Sequence, residues 1–215
     1  MTNQLIKTAD GSHTILTPHE TYHSTHGAVQ ESRHVFIDHG LCHARQQSNP
    51  EKIHILEVGF GTGLNALLSW NTNYPTHYVA IEPFPIPMAL WQQLNYNAFI
   101  EIGSIEALHS CPWDSVVEFS PRFTFQKRNT WIQTARLTHT FDVIYYDAFS
   151  PNTQSELWTT DIFAKLFNQL NSNGILVTYC AKGIVRRRLM DIGFSVERCP
   201  GPPGKHHMLR ATRKN

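Results

Sequence analysis

Apolar residues gather in short runs separated by amphipathic stretches. Residues 53–58 (IHILEV), 77–82 (HYVAIE), 141–147 (FDVIYYD) and 174–180 (GILVTYC) are near-continuous apolar runs of strand length, as strands buried on both faces require. Residues 122–127 (RFTFQK) alternate, which predicts a half-exposed strand. Helical spacing covers 64–70 (LNALLSW), about 88–97, 104–109 and 155–170, the last through Leu157, Phe163, Leu166, Phe167 and Leu170. Residues 184–192 predict a short basic helix, and GFSVER and HHMLRAT flank PGPPG as a strand pair with a proline-stiffened connection. The alternation predicts an α/β fold, a doubly wound parallel sheet with right-handed crossovers and an antiparallel strand at the end. Residues 1–52 break the pattern. Polar and histidine-rich, they predict an N-terminal extension or lid, with the domain proper at 53–215.

The first buried run leads into Glu57, Gly59, Gly61 and Gly63, then a helix. Such a strand–glycine loop–helix turn lets a ligand lie against bare backbone. A dinucleotide fold wants G-x-G-x-x-G, and its third glycine position is Leu64 here. The E-x-G-x-G-x-G pattern instead resembles the first motif of S-adenosylmethionine-dependent methyltransferases. An oxidoreductase using NAD is disfavoured for the same reason.

The length of 215 residues, 41% hydrophobic and 16% charged, suits one domain with a sizeable core. No apolar run reaches membrane-spanning length, and four scattered cysteines form no C-x-x-C pair, which together predict a cytoplasmic protein with no membrane partner. The net charge of +1 conceals an asymmetry: from Lys182 onward nine Lys and Arg face only Asp191 and Glu197. A basic end on a near-neutral chain predicts a polyanionic partner there, or else a solvated hairpin and helix.

Four stretches in order, YHSTHGAVQESRHVFI (22–37), EVGFGTGLNAL (57–67), YYDAFSPNTQSELWT (145–159) and CAKGIVRRRLMDIGFSVER (180–198), resemble the methyltransferase domain of the bacterial tRNA-modifying enzyme MnmC. The resemblance implies a Rossmann-like class I fold with S-adenosylmethionine as cofactor. It also implies methyl transfer to the amine of 5-aminomethyl(-2-thio)uridine at the wobble position of a tRNA anticodon stem-loop. The chain ends at Asn215, without the FAD-dependent oxidase domain of the bifunctional members, so it resembles a stand-alone methyltransferase.

Residue by residue, the resemblance implies a cofactor site of Glu57, Gly59, Gly61, Gly63 and Asn65, with Tyr22 and Ser24 near the methionine half. Glu82, closing the second strand, would take the ribose hydroxyls, and Asn129 the adenine amine. Asp147 ends a buried strand at the side where ligands bind and would receive the amine's proton or hold the charged product; an Asx turn is its structural alternative. Phe149 would wall the pocket or stack on uracil. Lys182, Arg186, Arg187 and Lys205 would meet RNA, although successive arginines on a helix cannot all face one way.

Seven of the thirteen histidines lie between His13 and His43, yet Asp38-His39-Gly40 reads as a turn and no ligand pair follows at finger spacing, so no metal site is predicted. A methyltransferase of a small amine or a protein, and a non-catalytic RNA-binding module, are the competing readings.

Overall fold

A computed structural model describes residues 3–214. The chain opens with a hairpin, β1 (Gln4–Lys7) and β2 (His13–Leu16), followed by an unbroken helical stretch over residues 28–48. Its middle, Arg33–Cys42, is π-helical. Then come β3 (Ile53–Val58), helix Leu64–Asn71, β4 (Thr76–Ile81), short helices Met88–Trp91 and Ile105–Ser110, β5 (Val116–Ser120) and β6 (Phe123–Arg128). The chain closes with β7 (Phe141–Tyr146), helix Thr160–Gln169, β8 (Leu170–Thr178), helix Gly183–Ile192, β9 (Phe194–Pro200) and β10 (His207–Arg213).

The eight-stranded sheet runs β5-β6-β4-β3-β7-β8-β10-β9. Its central five strands are parallel, and β5 and β10 run against their neighbours. The chain goes from β3 outward to β4 and β6, then returns to β7 on the other flank of β3. That reversal opens a crevice between the carboxyl ends of β3 and β7, where α/β sheets bind ligands. No helix among the described residues is long and apolar enough to cross a membrane.

Alternate strand residues feed two cores. Ile55, Tyr78, Val143 and Tyr145 pack with Phe36, Leu41 and Leu67 of the helices on one face, while Leu56, Val58, Ile144 and Leu176 pack with Trp158, Phe163 and Leu189 on the other. The parity matters for function, because it sends Glu57 into the first core.

Three expectations need correction. Residues 38–40 are helical rather than a turn: a Cβ on Gly40 would come 3.0 Å from the Tyr145 ring and 3.2 Å from Val177, so this glycine lets the helix lie close on the sheet. The helix expected to reach 97 stops at Trp91. The Asn95 side chain explains the break, since it accepts from His13 N–H (2.9 Å) and donates to the Gly11 carbonyl (2.9 Å), fastening this segment to the β1–β2 hairpin. β5 is also absent from the sequence reading; it returns antiparallel on β6 after Asp114, whose φ of 59° turns the chain.

Candidate functional site

The three glycines serve different steric needs. A Cβ on Gly59 (φ 94°) would fall 2.7 Å from the Asp147 carbonyl oxygen, because the loop is wedged against β7. Asp147 N–H donates to the Val58 carbonyl and Gly59 N–H to the Ile81 carbonyl, each at 3.0 Å, which locks the loop between β7 and β4. Gly61 has φ 48° and lies under the Tyr22 ring. Gly63 (φ 77°) opens the helix Leu64–Asn71 and packs on Phe60 and Ile105, away from the pocket.

Over this loop lies a cavity of about 390 Å³, within the size range of small-molecule and cofactor sites. Segment 20–25 covers it on one side; Glu82–Phe84, Trp131–Ile132, Asp147–Phe149, Tyr179 and Lys205 complete the wall. Tyr22 and Phe149 meet edge to face at 4.9 Å, and the exposed rings of Phe84 and Trp131 do the same at the rim. The loop bearing Phe149 is held from several directions: Trp158 Nε1 donates to its carbonyl (2.8 Å), Tyr179 Oη to the Ala148 carbonyl (2.9 Å), and Ser150 N–H to Glu20 (3.0 Å).

Glu82 follows the last residue of β4 and accepts from Gly61 N–H (3.0 Å) and Phe84 N–H (2.8 Å). Burial raises its pKa, and those two amides oppose the rise. Burial also lifts Tyr22 to about 12, with Glu82 adding to it, and lowers His23 to about 4, so His23 is neutral where it lies 2.6 Å from Thr62 Oγ1. Asp147 is pushed well above the usual carboxylate range by burial, against the hydrogen bond from Asn65.

Asn65 joins two acids. Its Nδ2 donates to Asp147 Oδ2 (2.7 Å) and to Glu57 Oε1 (2.9 Å). Glu57 is fully buried, Oε2 has no hydrogen-bond partner among the described residues, and burial together with the Asp147 charge holds its pKa well above normal. Such a group binds its proton more tightly folded than unfolded. Its contribution to stability is therefore intact below its ordinary pKa of 4.5 and is lost as pH rises through the folded value. Glu57→Gln should accordingly melt higher than the wild type at neutral pH, by about 2–4 °C for each kcal/mol recovered. The gap should widen as pH rises in thermal denaturation between pH 5 and 9; a variant that melts lower throughout would mean that the carboxylate is well solvated or paired.

Of the residues singled out from sequence, Tyr22, Ser24, Gly59, Gly61, Glu82, Asp147, Phe149 and Lys205 meet around one cavity. The others do not line it. Glu57 and Asn65 lie behind the loop, and Gly63 packs away from the cavity. Asn129 Nδ2 donates to the carbonyls of Glu82 (3.0 Å) and Pro83 (3.3 Å), a clamp on the acidic loop made by its amide nitrogen rather than by the acceptor oxygen expected to meet adenine. Lys182 bonds Asn152 Oδ1 (2.8 Å) on the surface, Arg187 is exposed and Arg186 half-buried, all outside the cavity. Lys205 departs from the RNA-facing role expected of it, because its Nζ pairs inside the wall with Glu31 (2.6 Å). Glu20, His23, Glu31, Trp131 and Tyr179 also line the cavity, and no sequence signal marks them.

Part of the C-terminal basic excess is engaged within the fold. Arg188 donates to the Trp158 carbonyl (2.5 Å), Arg210 pairs with Glu197 (2.7 Å), and Arg213 donates to the carbonyls of Phe167 (3.2 Å) and Leu170 (2.5 Å). Lys182, Arg187, Arg198 and Lys214 remain exposed.

A family model described as S-adenosyl-L-methionine-dependent methyltransferase matches residues 123–214. The tRNA 5-methylaminomethyl-2-thiouridine biosynthesis bifunctional protein MnmC of Magnetococcus marinus is 31% identical over 210 residues, which cover 90% of this chain and 31% of that protein. The chain thus spans about a third of the length of the curated relatives it matches. The crystal structure of MNMC2 from Aquifex aeolicus superposes with a TM-score of 0.76 at 26% identity, over 99% of this chain and 71% of that one. The magnesium protoporphyrin IX methyltransferase of Synechocystis, solved with bound S-adenosylmethionine, shares the fold at a TM-score of 0.55 and 13% identity, over 87% and 81% of the two chains.

Proposed function

From its membership of the MnmC methyltransferase-domain family, within the S-adenosyl-L-methionine-dependent methyltransferases, we propose that this chain methylates the amine of 5-aminomethyl(-2-thio)uridine at the wobble position of tRNA in the cytoplasm. The observation that carries the reading is the meeting of Glu82, the bare backbone of Gly61 and the buried Asp147 around one cavity at the switch point of the sheet. These groups suit the cofactor: a carboxylate can accept from both ribose hydroxyls, and a glycine loop leaves room for the ligand beside it. When bound, S-adenosylmethionine supplies an electrophilic methyl group.

The rest falls to the protein. An alkylammonium near pKa ~10.4 carries no free electron pair, so the amine must arrive neutral or surrender its proton in the site. Asp147 is the acceptor for that proton. Burial makes its carboxylate a better base than a solvated one, and Asn65 fixes its orientation. Phe149 and Tyr22 wall the space above it and keep water out. Holding amine and methyl in line supplies much of the remaining barrier reduction.

RNA would approach along the side where Lys182, at the start of the helix after β8, and Arg187, midway along it, stand exposed. Lys182→Ala with Arg187→Ala should weaken tRNA binding and flatten its salt dependence by about 0.7–0.9 in logarithmic slope for each phosphate no longer neutralised. Affinity for S-adenosylmethionine should not change. The direct test of the function is incubation with tRNA carrying the aminomethyl base, read by nucleoside mass spectrometry as a gain of one methyl group. The free nucleoside should react poorly, since it lacks the remote contacts that position the amine. Equal turnover of nucleoside and tRNA, with little effect of salt, would replace the tRNA reading by a small-amine methyltransferase.

A further inference from the structure

Among the described residues, the cavity wall carries four carboxylates, Glu20, Glu31, Glu82 and Asp147, against one lysine or arginine, Lys205. Considerable architecture brings that lysine there. The connection between β9 and β10 folds over the N-terminal segment, with His34 Nε2 2.8 Å from the Pro200 carbonyl. Gly204, at φ 85°, is so close to His26 that a Cβ would collide with its ring. Lys205 follows directly, with Nζ 2.6 Å from Glu31 Oε1 and 4.1 Å from the centre of the Tyr179 ring. The other oxygen of Glu31 accepts from Ser24 N–H at 2.7 Å. One ammonium and one amide therefore already converge on a carboxylate. An ammonium has three protons to donate, and Glu31 takes one.

We infer that Lys205 receives the carboxylate of the cofactor's methionine half, and that it is the residue by which the site selects S-adenosylmethionine over its decarboxylated form. The inference rests on the cofactor assignment given above. A methionine carboxylate entering a wall of four acids meets repulsion unless a cation answers it, and His23, buried and neutral, does not. Lys205 also stands at the correct end. It lies over Tyr179, whose hydroxyl donates to the Ala148 carbonyl beside Asp147, whereas Glu82, which marks the ribose end, is held by Gly61 N–H and Phe84 N–H. Ser24 lies beside the same pair through Glu31, so its hydroxyl is placed to support the same carboxylate. Without Lys205 the remaining acids would favour the decarboxylated compound, which carries one more net positive charge.

The test is a binding cycle by titration calorimetry, with S-adenosylmethionine and S-adenosylmethioninamine, which lacks only the carboxylate, on wild type, K205M and K205M/E31Q. The double variant removes both charges together and so avoids leaving Glu31 buried without its partner; thermal melting confirms that each protein is folded. The wild type should prefer S-adenosylmethionine by about tenfold or more, the scale of one charge-assisted hydrogen bond. Both variants should lose that preference. A preference that persists in both folded variants, or is missing from the wild type while it binds S-adenosylmethionine, overturns the role of Lys205 and leaves the cofactor assignment standing. A wild type that binds neither compound overturns both.

Discussion

Asp147→Asn should slow methyl transfer by about 100-fold, the lower range for a lost acid–base group, while S-adenosylmethionine affinity changes little. The substitution preserves shape. The carbonyl oxygen of the introduced amide can take the hydrogen bond that Asn65 now gives to Asp147 Oδ2, so the loop ending at Phe149 keeps its anchors. What disappears is the proton acceptor. The wild type should also show an acid limb in its pH–rate profile. Asp147 works only when ionised, so the rate should climb as pH rises through its folded pKa, which burial places well above 3.8. That limb should vanish in the variant. Single-turnover rates across pH 5–9, with binding measured separately, check both expectations. Normal turnover at neutral pH would make Asp147 a structural residue and assign the proton to another route.

The sequence is most legible where backbone geometry restricts residue choice. Gly59 and Gly61 need positive φ and close approach, so they show in the pattern without any knowledge of their neighbours. Glu82 and Asp147 are legible for a related reason, since each stands one position beyond a buried strand, where the chain emerges at the carboxyl edge. Glu57 stands behind the cavity instead, because it lies one residue before the end of β3, with its side chain on the face of Ile55. In a run buried on both faces, hydrophobicity does not reveal which parity opens on the cavity. Lys205 and Glu31 illustrate the deeper limit. They are 174 positions apart, and their meeting depends on how the last hairpin folds over the first helix, which no local pattern encodes. Gly40 shows the converse error, a glycine that reads as a turn although its purpose is to let helix and sheet touch.

Gly61→Val should remove measurable cofactor binding, a loss of about 100-fold or more. Two costs combine. At φ 48° a β-branched residue is a genuine outlier, worth ~1–2 kcal/mol or more even before packing is considered. The new Cβ would also lie 3.0 Å from the Tyr22 ring, with two further methyl groups behind it, and overpacking of this kind costs ~1–3 kcal/mol. The free protein can escape both by letting the loop relax away from Tyr22. Relaxation withdraws Gly61 N–H from Glu82 Oε2, so the carboxylate meant for the ribose loses its anchor at the same moment. Binding must then restore the strained arrangement, and the combined ~3 kcal/mol appears as lost affinity. Gly61→Ala, which fits the left-handed region at lower cost and has no branch to press on the ring, should fall between the two. Calorimetric titration with S-adenosylmethionine, alongside melting curves to establish folding, gives the ordering. A folded Gly61→Val protein with wild-type affinity would take this loop out of the cofactor site, and the assignment of Glu82 to the ribose would fall with it.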